Sequence, residues 1–333
     1  MQNRPLFKEI EGHDRPVTIL KRALTNNTLA HAYLFSGGEG IGKKMTALAL
    51  AAAVNCRNSG PDWGCGQCPS CRKVTALVHP DVHILAADGD EIKIDQVRQV
   101  QAELALKPFE GAKKILIVDG AENMNQASAN AFLKTLEEPQ GEALIVLISP
   151  LPQSLLPTIR SRCQEIRFLP LPRPVLAQAL MRKRGLSEED AWFLAALAQG
   201  SLGRGLAMDV EQEKAVREEL IGLWSGLRLM GAGDVLAQAE AFSKDRDRLE
   251  RLLDIGVEWL RDAIVFRETG DDRLLVNGQG KDLHRKWSRR FSLQQMLSDI
   301  ELLTTSKNLL DRRVSTQLVA ENLLMKLNRG EEI

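Results

Sequence analysis

Residues 31–54 read HAYLFSGGEGIGKKMTALALAAAV, and they join two apolar segments through a glycine-rich turn. His31–Ser36 predicts a short buried strand, and Met45–Val54 predicts a helix rich in Ala and Leu. Gly37–Lys44 fits the pattern G-x-x-x-x-G-K, in which backbone N–H groups and a helix N-terminus face bound phosphate. The stretch therefore predicts a phosphate-binding loop; a glycine-rich turn that binds no ligand is the alternative.

The residues of this loop predict nucleotide binding without efficient hydrolysis. Gly37, Gly40 and Gly42 let the backbone approach the phosphates, and Lys43 supplies the charge that neutralises them. Lys44 stands where a Ser or Thr hydroxyl would ligate Mg²⁺. Because an ammonium group repels Mg²⁺, we expect ATP or ADP to bind while hydrolysis lacks a metal ligand.

A second nucleotide-site signature is also incomplete. Lys113–Val118 is predicted to be a strand with an unbroken apolar core, which indicates burial on both faces. Asp119 follows it on the side where the metal would lie, and Gly120 stands where a catalytic glutamate is expected. Taken alone, this is also the pattern of an ordinary strand that ends in an aspartate. A chain with the phosphate cradle but without two catalytic parts is predicted to be a partner of an ATPase.

Four cysteines form the pattern C-x8-C-x2-C-x2-C at Cys56, Cys65, Cys68 and Cys71. Four sulfur ligands at this spacing favour a closed, tetrahedral, structural Zn²⁺ site. The spacing also permits an Fe–S cluster, and a redox-active pair is the remaining alternative. Cys163 stands apart and is predicted to be a small core residue.

The order of apolar segments predicts an α/β domain followed by all-α structure. Strands are expected at 81–85, 143–148 and 165–168 in addition to those above, and helices alternate with them, which favours a parallel sheet. One of these helices is expected to end at Pro139, and another is expected to cover 155–159. The proline-rich stretch Leu169–Pro174 is predicted to be a boundary linker, and only helical periodicity continues after it. A chain of 333 residues has room for two or three such domains.

Composition excludes several function classes. The formal net charge is zero, so nothing in the overall balance favours nucleic acid or membrane binding. The first residues do not resemble a signal peptide, and no apolar run approaches the roughly 20 residues of a membrane span. We therefore expect a cytoplasmic protein whose cysteines are thiols or metal ligands.

Several segments together resemble the bacterial clamp-loader AAA+ proteins. They are HAYLFSG at 31–37, the four cysteines, NAFLKTLEEP at 130–139 and SRC at 161–163, and the resemblance covers residues from about 10 to 208. It implies a RecA-like AAA+ domain at 1–168 with an inserted zinc module at 56–71. A small helical lid at 169–208 and a helical collar at 209–333, used for oligomerisation, are expected to follow.

Within that family, the sequence departs from the ATP-hydrolysing gamma/tau subunit at Lys44, at Gly120, at residues 79–81 and at Gly203. Gly203 stands where gamma/tau has its phosphate-sensing arginine, and Arg204 is the next residue. The resemblance places Ser149 at the sensor-1 position, where serine is chemically acceptable.

The resemblance also gives Arg162 a role. From the residues alone, it is a surface arginine in a salt bridge. The family implies that it acts in trans, as an arginine finger in the ATP site of a neighbouring subunit. The implied partners are gamma/tau and delta subunits in a hetero-pentameric ring, which opens a sliding clamp and loads it on primed DNA.

Two other functions are compatible with parts of this pattern. One is a catalytically active, gamma/tau-like clamp-loader ATPase that uses Thr46 and Glu122 in place of the usual residues. The other is a zinc-dependent DNA-binding module, against which the neutral charge and the scarcity of aromatic residues argue.

Overall fold

The computed structural model describes residues 5–58, 60, 63–138, 143–271, 274–275, 285–287 and 290–329. Pro139, which was expected to end a helix, lies outside these residues. The chain divides into two compact units, Met1–Ala179 with Gly200–Arg204 and Leu180–Gln199 with Gly205–Ile333. The three-domain partition at 168 and 208 stays a prediction.

A five-stranded parallel sheet forms the centre of the first unit. Its strands lie in the order β2–β3–β4–β1–β5, and every pair is parallel. Their bounds are β1 Ala32–Ser36, β2 Val82–Ala86, β3 Lys114–Asp119, β4 Ala143–Ser149 and β5 Gln164–Arg167. The predicted parallel α/β sheet is thereby confirmed, with each strand within a few residues of its expected position.

Helices cover this sheet and connect its strands, as parallel pairing requires. Their bounds are α1 Asp14–Thr25, α2 Lys43–Val54, α3 Pro69–Thr75, α4 Ile94–Leu104, α5 Gln126–Glu137, α6 Pro157–Arg160 and α7 Arg173–Arg184. Short 3-10 helices lie at Phe7–Glu9, Ala121–Asn123 and Pro152–Ser154.

The apolar strands are buried because side chains alternate between two helical layers. On β1, Tyr33 and Phe35 belong to the cluster shared with α2, whereas Leu34 belongs to the cluster on the opposite face. Ile115 and Leu116 divide between the same two clusters on β3. Each fully buried side chain of this size contributes about 1.5–3 kcal/mol, so both faces of the sheet contribute to the core.

Two local predictions needed correction. The helix expected at 155–159 is instead the 3-10 turn Pro152–Ser154 followed by α6, which begins at Pro157. Helix α7 begins at Arg173, inside the stretch that was expected to be a linker. Both changes have one cause, because proline suits the first turn of a helix, where its missing N–H has no partner to lose.

In the second unit, every regular element among the described residues is a helix. Beyond α7, the chain forms α8 Glu188–Leu197, α9 Leu202–Ala207, α10 Val210–Leu227, α11 Ala232–Ser243, α12 Arg246–Thr269, α13 Leu293–Asp311 and α14 Thr316–Arg329. Of these helices, α9 begins in residues of the first unit, which includes Gly200–Arg204. Helix α12 packs against α10 and α13, and α11 packs against α14. No described helix combines the length and the apolar character needed to cross a membrane.

Candidate functional site

The carboxyl ends of three neighbouring strands bring the predicted nucleotide-site residues to one edge of the sheet. Ser36 at the end of β1 pairs with Ser149 at the end of β4. Asp119 at the end of β3 pairs with Ile148, the residue before Ser149. The glycine-rich loop begins directly after Ser36, so the loop, Asp119 and Ser149 share this edge. Their role in binding nucleotide stays a prediction.

Left-handed backbone shapes the glycine-rich loop. Gly37 and Gly40 have φ angles of 136° and 66°, which side chains disfavour. A Cβ at Gly37 would lie 2.2 Å from the carbonyl oxygen of Phe168. These glycines are therefore required by the fold of the loop, whether or not phosphate binds.

The Lys43 ammonium lies inside the loop rather than in solvent. It donates hydrogen bonds to the carbonyl oxygens of Gly37 and Gly38, and only 5% of the residue is exposed. Burial lowers the pKa of Lys43, and the carboxylates of Glu122, Glu39 and Asp119 oppose that change. The lysine is thus held at the loop by carbonyl oxygens, with acidic groups nearby.

Lys44 forms an ion pair with Asp119, and its Nζ lies 3.0 Å from Oδ2 of the carboxylate. Lys44 stands where the usual motif has a metal-binding hydroxyl, and Asp119 is the aspartate expected to face the metal. The ion pair therefore joins two positions that would otherwise serve Mg²⁺. Mg²⁺ requires near-octahedral oxygen ligands, and an ammonium in contact with one of them competes with the ion. The residues present therefore do not fit a Mg²⁺ ion held between α2 and β3.

The hydroxyl groups near this edge bond to the chain itself. The Thr46 side chain is fully buried and donates to the Gly42 carbonyl oxygen at 2.9 Å. Ser149 is also buried, and its Oγ accepts from the Leu151 N–H at 3.0 Å. Glu122 differs, because its buried Oε2 has no hydrogen-bond partner among the described residues.

A short segment after α8, which contains Gly203, contacts the glycine-rich loop directly. The Gly203 N–H donates to the Gly40 carbonyl oxygen at 2.8 Å. A Cβ at Gly203 would lie 2.9 Å from that oxygen, and one at Gly40 would lie 2.4 Å from the Ser201 hydroxyl oxygen. A side chain at position 203 would therefore collide with the backbone of Gly40.

His13 is a site neighbour that sequence reasoning missed. Its Nε2 donates to the Ile41 carbonyl oxygen at 2.6 Å. Its ring lies edge-to-face with the Phe168 ring, with the ring centroids 5.0 Å apart. Burial lowers the pKa of His13, which favours the neutral ring. No motif spacing signals this contact, because it depends on how the segment before α1 folds back over the loop.

Arg162 follows α6, in the connection between β4 and β5. Its guanidinium lies 2.7 Å from the Glu137 carboxylate and donates to the Thr158 carbonyl oxygen at 2.9 Å. Among the described residues, it has no hydrogen bond or ion pair with the glycine-rich loop of its own chain. The salt bridge expected from the residues alone is present, and the guanidinium remains 36% exposed.

The four cysteines come together as the spacing predicts. Their sulfur atoms all lie within 4.8 Å of one another, a donor set that fits one tetrahedral metal ion. Backbone N–H groups point at the sulfurs, from Cys65 to Cys56 at 3.3 Å and from Cys68 to Cys65 at 3.2 Å. The N–H groups of Gln67 and Cys68 lower the pKa of Cys65 to about 6, whereas burial raises the pKa values of Cys56 and Cys71. Cys163 is half-buried and separate from the cluster, and burial raises its pKa to about 12.

Both ends of the cysteine segment are fastened to the turn before β3. Asn55 exchanges two hydrogen bonds of 3.0 Å with the backbone of Lys113. At the other end, the buried Asp81 carboxylate accepts the N–H groups of residues 109–111 at 2.6, 2.9 and 2.7 Å. These donors outweigh the effect of burial, so the pKa of Asp81 lies below its usual value. Sequence reasoning noted Asp81 only as a departure from a family pattern.

Comparison with known proteins identifies related sequences along almost the whole chain. Residues 12–172 match the family model described as DNA polymerase III, delta subunit. The DNA polymerase III subunit delta' of Bacillus subtilis is 30% identical over 329 residues, which are 97% of this chain and 99% of that protein. The subunit delta' of Pseudomonas aeruginosa is 34% identical over 73% of this chain and 74% of its own length.

A more distant relative differs in length. The DNA polymerase III subunit tau of Bacillus subtilis is 24% identical over 90% of this chain, but the matched part is 57% of that protein. The delta' subunits are thus the more similar of these relatives, and that of Bacillus subtilis matches over almost its whole length. The chain belongs to the family of DNA polymerase III delta-prime subunits.

Proposed function

We propose that the chain is a clamp-loader subunit of DNA polymerase III, part of a polymerase holoenzyme that loads the sliding clamp onto primed DNA. Family membership and the similarity to a tau subunit support this proposal. The ring would contain gamma/tau and delta subunits beside this chain, with the collar at 209–333 joining them. The RecA-like AAA+ domain would be residues 1–168 and the lid 169–208.

The observation that carries the proposal is the ion pair of Lys44 with Asp119. It sets an ammonium group where hydrolysis requires a metal ion, and Gly120 has no side chain with which to activate water. The chain's own loop would then hold ATP or ADP without efficient turnover, through Gly37, Gly42 and Lys43.

Arg162 would act on a neighbour's nucleotide instead. An arginine finger stabilises the charge that develops on the transferred phosphate. The Glu137 carboxylate and the Thr158 carbonyl oxygen hold the guanidinium at one place while it stays partly exposed. This arrangement is suited to a side chain that must meet a second subunit in a fixed direction.

The four cysteines would hold a structural Zn²⁺ ion. A set of four sulfur donors leaves no ligand position for water or substrate. The module would then stabilise the fold between Asn55 and Asp81 without taking part in hydrolysis.

Substitution of the finger in the assembled complex tests the trans-acting role. Arg162→Ala should leave assembly intact and lower DNA-stimulated ATP hydrolysis at the neighbouring site by about 10³-fold or more, as for arginine fingers in general. Arg160→Ala is the matched control, because it removes an exposed arginine at the last residue of α6, two positions before Arg162. Wild-type turnover with Arg162→Ala would refute the role.

ATP hydrolysis by the purified chain alone separates the proposal from the active-ATPase alternative. We expect no turnover with Mg²⁺ and primed DNA present. The bond from Thr46 to its own helix weighs against the alternative, because that hydroxyl is not available to a metal. Turnover of about 1 s⁻¹ or more, abolished by Lys43→Ala, would make this chain a motor.

A further inference from the structure

Compared with the usual motif, two residues at the carboxyl edge of the sheet shift the net charge of the site in the same direction. In the usual motif, position 44 is a neutral Ser or Thr and position 120 is a glutamate. Lys44 adds one positive charge, and Gly120 removes one negative charge. The two differences together equal the charge of one Mg²⁺ ion.

The position of the added charge matters as much as its sign. The Lys44 ammonium lies 3.0 Å from Asp119 Oδ2, the carboxylate that a metal ion would otherwise neutralise. Both side chains remain partly exposed, 47% for Lys44 and 30% for Asp119, so the ion pair is accessible from solvent. The other acidic groups near the loop, Glu39 and Glu122, act on Lys43.

We propose that the loop binds a nucleoside di- or triphosphate without Mg²⁺, and that Lys44 is the built-in counter-ion. This inference rests on the proposed function, in which the chain's own site does not hydrolyse ATP efficiently. The phosphates are held by the loop backbone, Lys43 and Lys44. The same ammonium excludes Mg²⁺ from Asp119 by repulsion, so bound nucleotide is not set up for hydrolysis.

Equilibrium titration of the full chain with fluorescent ADP and ATP analogues tests this, in parallel buffers that contain Mg²⁺ or EDTA. The wild-type affinity should agree within about twofold between the two buffers, a difference well below the tenfold that 1.4 kcal/mol represents. Lys44→Thr removes the counter-ion and restores a metal ligand. It should bind about tenfold or more weakly in EDTA and recover in Mg²⁺, as expected for one charged hydrogen bond.

Lys44→Met is the second variant, because it keeps the length of the side chain but supplies neither charge nor metal ligand. It should lose affinity in both buffers, as should Lys43→Ala. Lys44 is about half-exposed, and exposed ion pairs contribute little to stability, so both Lys44 variants should fold normally. Thermal unfolding of each variant checks this point.

Two outcomes overturn the inference: wild-type binding that is about tenfold or more tighter with Mg²⁺, or no binding in either buffer. Neither outcome affects the Arg162 assay. Turnover by the chain alone, measured on the same samples, would instead overturn the proposed function.

Discussion

Gly203→Ala should destabilise the first unit although it places a better helix former in a helix. Gly203 lies in α9 and has no left-handed backbone, so alanine should stabilise the helix by about 0.5–1 kcal/mol. The added Cβ, however, would lie 2.9 Å from the Gly40 carbonyl oxygen and 3.2 Å from its Cα. Both are backbone atoms, which cannot rotate away. Overpacking of this kind costs about 1–3 kcal/mol, which leaves a net loss of roughly 1 kcal/mol from the middle of both ranges.

Thermal unfolding followed by circular dichroism, together with hydrogen exchange at the glycine-rich loop, measures this loss. A change of 1 kcal/mol moves the midpoint by about 2–4 °C in a domain of this size. Gly222→Ala is the matched control, because Gly222 lies inside α10 with nothing within 4 Å of an added Cβ. It should stabilise the chain by about 0.5–1 kcal/mol. If Gly203→Ala were as stabilising as Gly222→Ala, the proposed contact with the loop would be refuted.

Three further changes have defined outcomes. Asp81→Ala removes a buried carboxylate that accepts three backbone N–H groups and should lower the free energy of unfolding by about 3 kcal/mol or more, measured by urea denaturation; wild-type stability would contradict this. Because the pKa of Asp81 is depressed in the folded chain, its contribution is present above the unfolded value of about 3.9 and is lost as pH falls through the folded pKa. Asp81→Asn should lack this acid-side loss in urea titrations across that range. Metal analysis should find about one zinc ion per chain, and chelation should make the four clustered thiols reactive; iron, or thiols reactive before chelation, would exclude this site. Glu137→Gln should lower hydrolysis by the assembled complex by roughly tenfold, the effect of one charged hydrogen bond, and unchanged turnover would show that Arg162 needs no anchor.

The sheet could be predicted because buried parallel strands have a simple sequence pattern. The unbroken apolar runs at 115–118 and 143–148 have no polar face, and the structure places both in the interior of the sheet. The cysteine cluster was equally accessible, because the short C-x-x-C steps bring sulfur atoms together within one local turn. Its metal stays a prediction.

The contacts around the nucleotide site could not be predicted in the same way. Lys44 and Asp119 lie on elements far apart in sequence, and their contact depends on the strand order, which periodicity does not reveal. The bond between Gly203 and Gly40 joins two backbones and therefore leaves no side-chain pattern. Sequence reasoning could identify which residues were unusual, but their partners required the fold.

The anchors at Asn55 and Asp81 fix both ends of the cysteine segment to the turn before β3. Closing a loop of this length costs roughly 3 kcal/mol of chain entropy, and the hydrogen bonds to that turn hold it closed at both ends. A metal ion bound inside the loop then orders its interior without having to bring the ends together. Because Cys68, Cys71 and Val74 are buried in the same apolar cluster as the strands, loss of the metal should also loosen the packing on that face of the sheet.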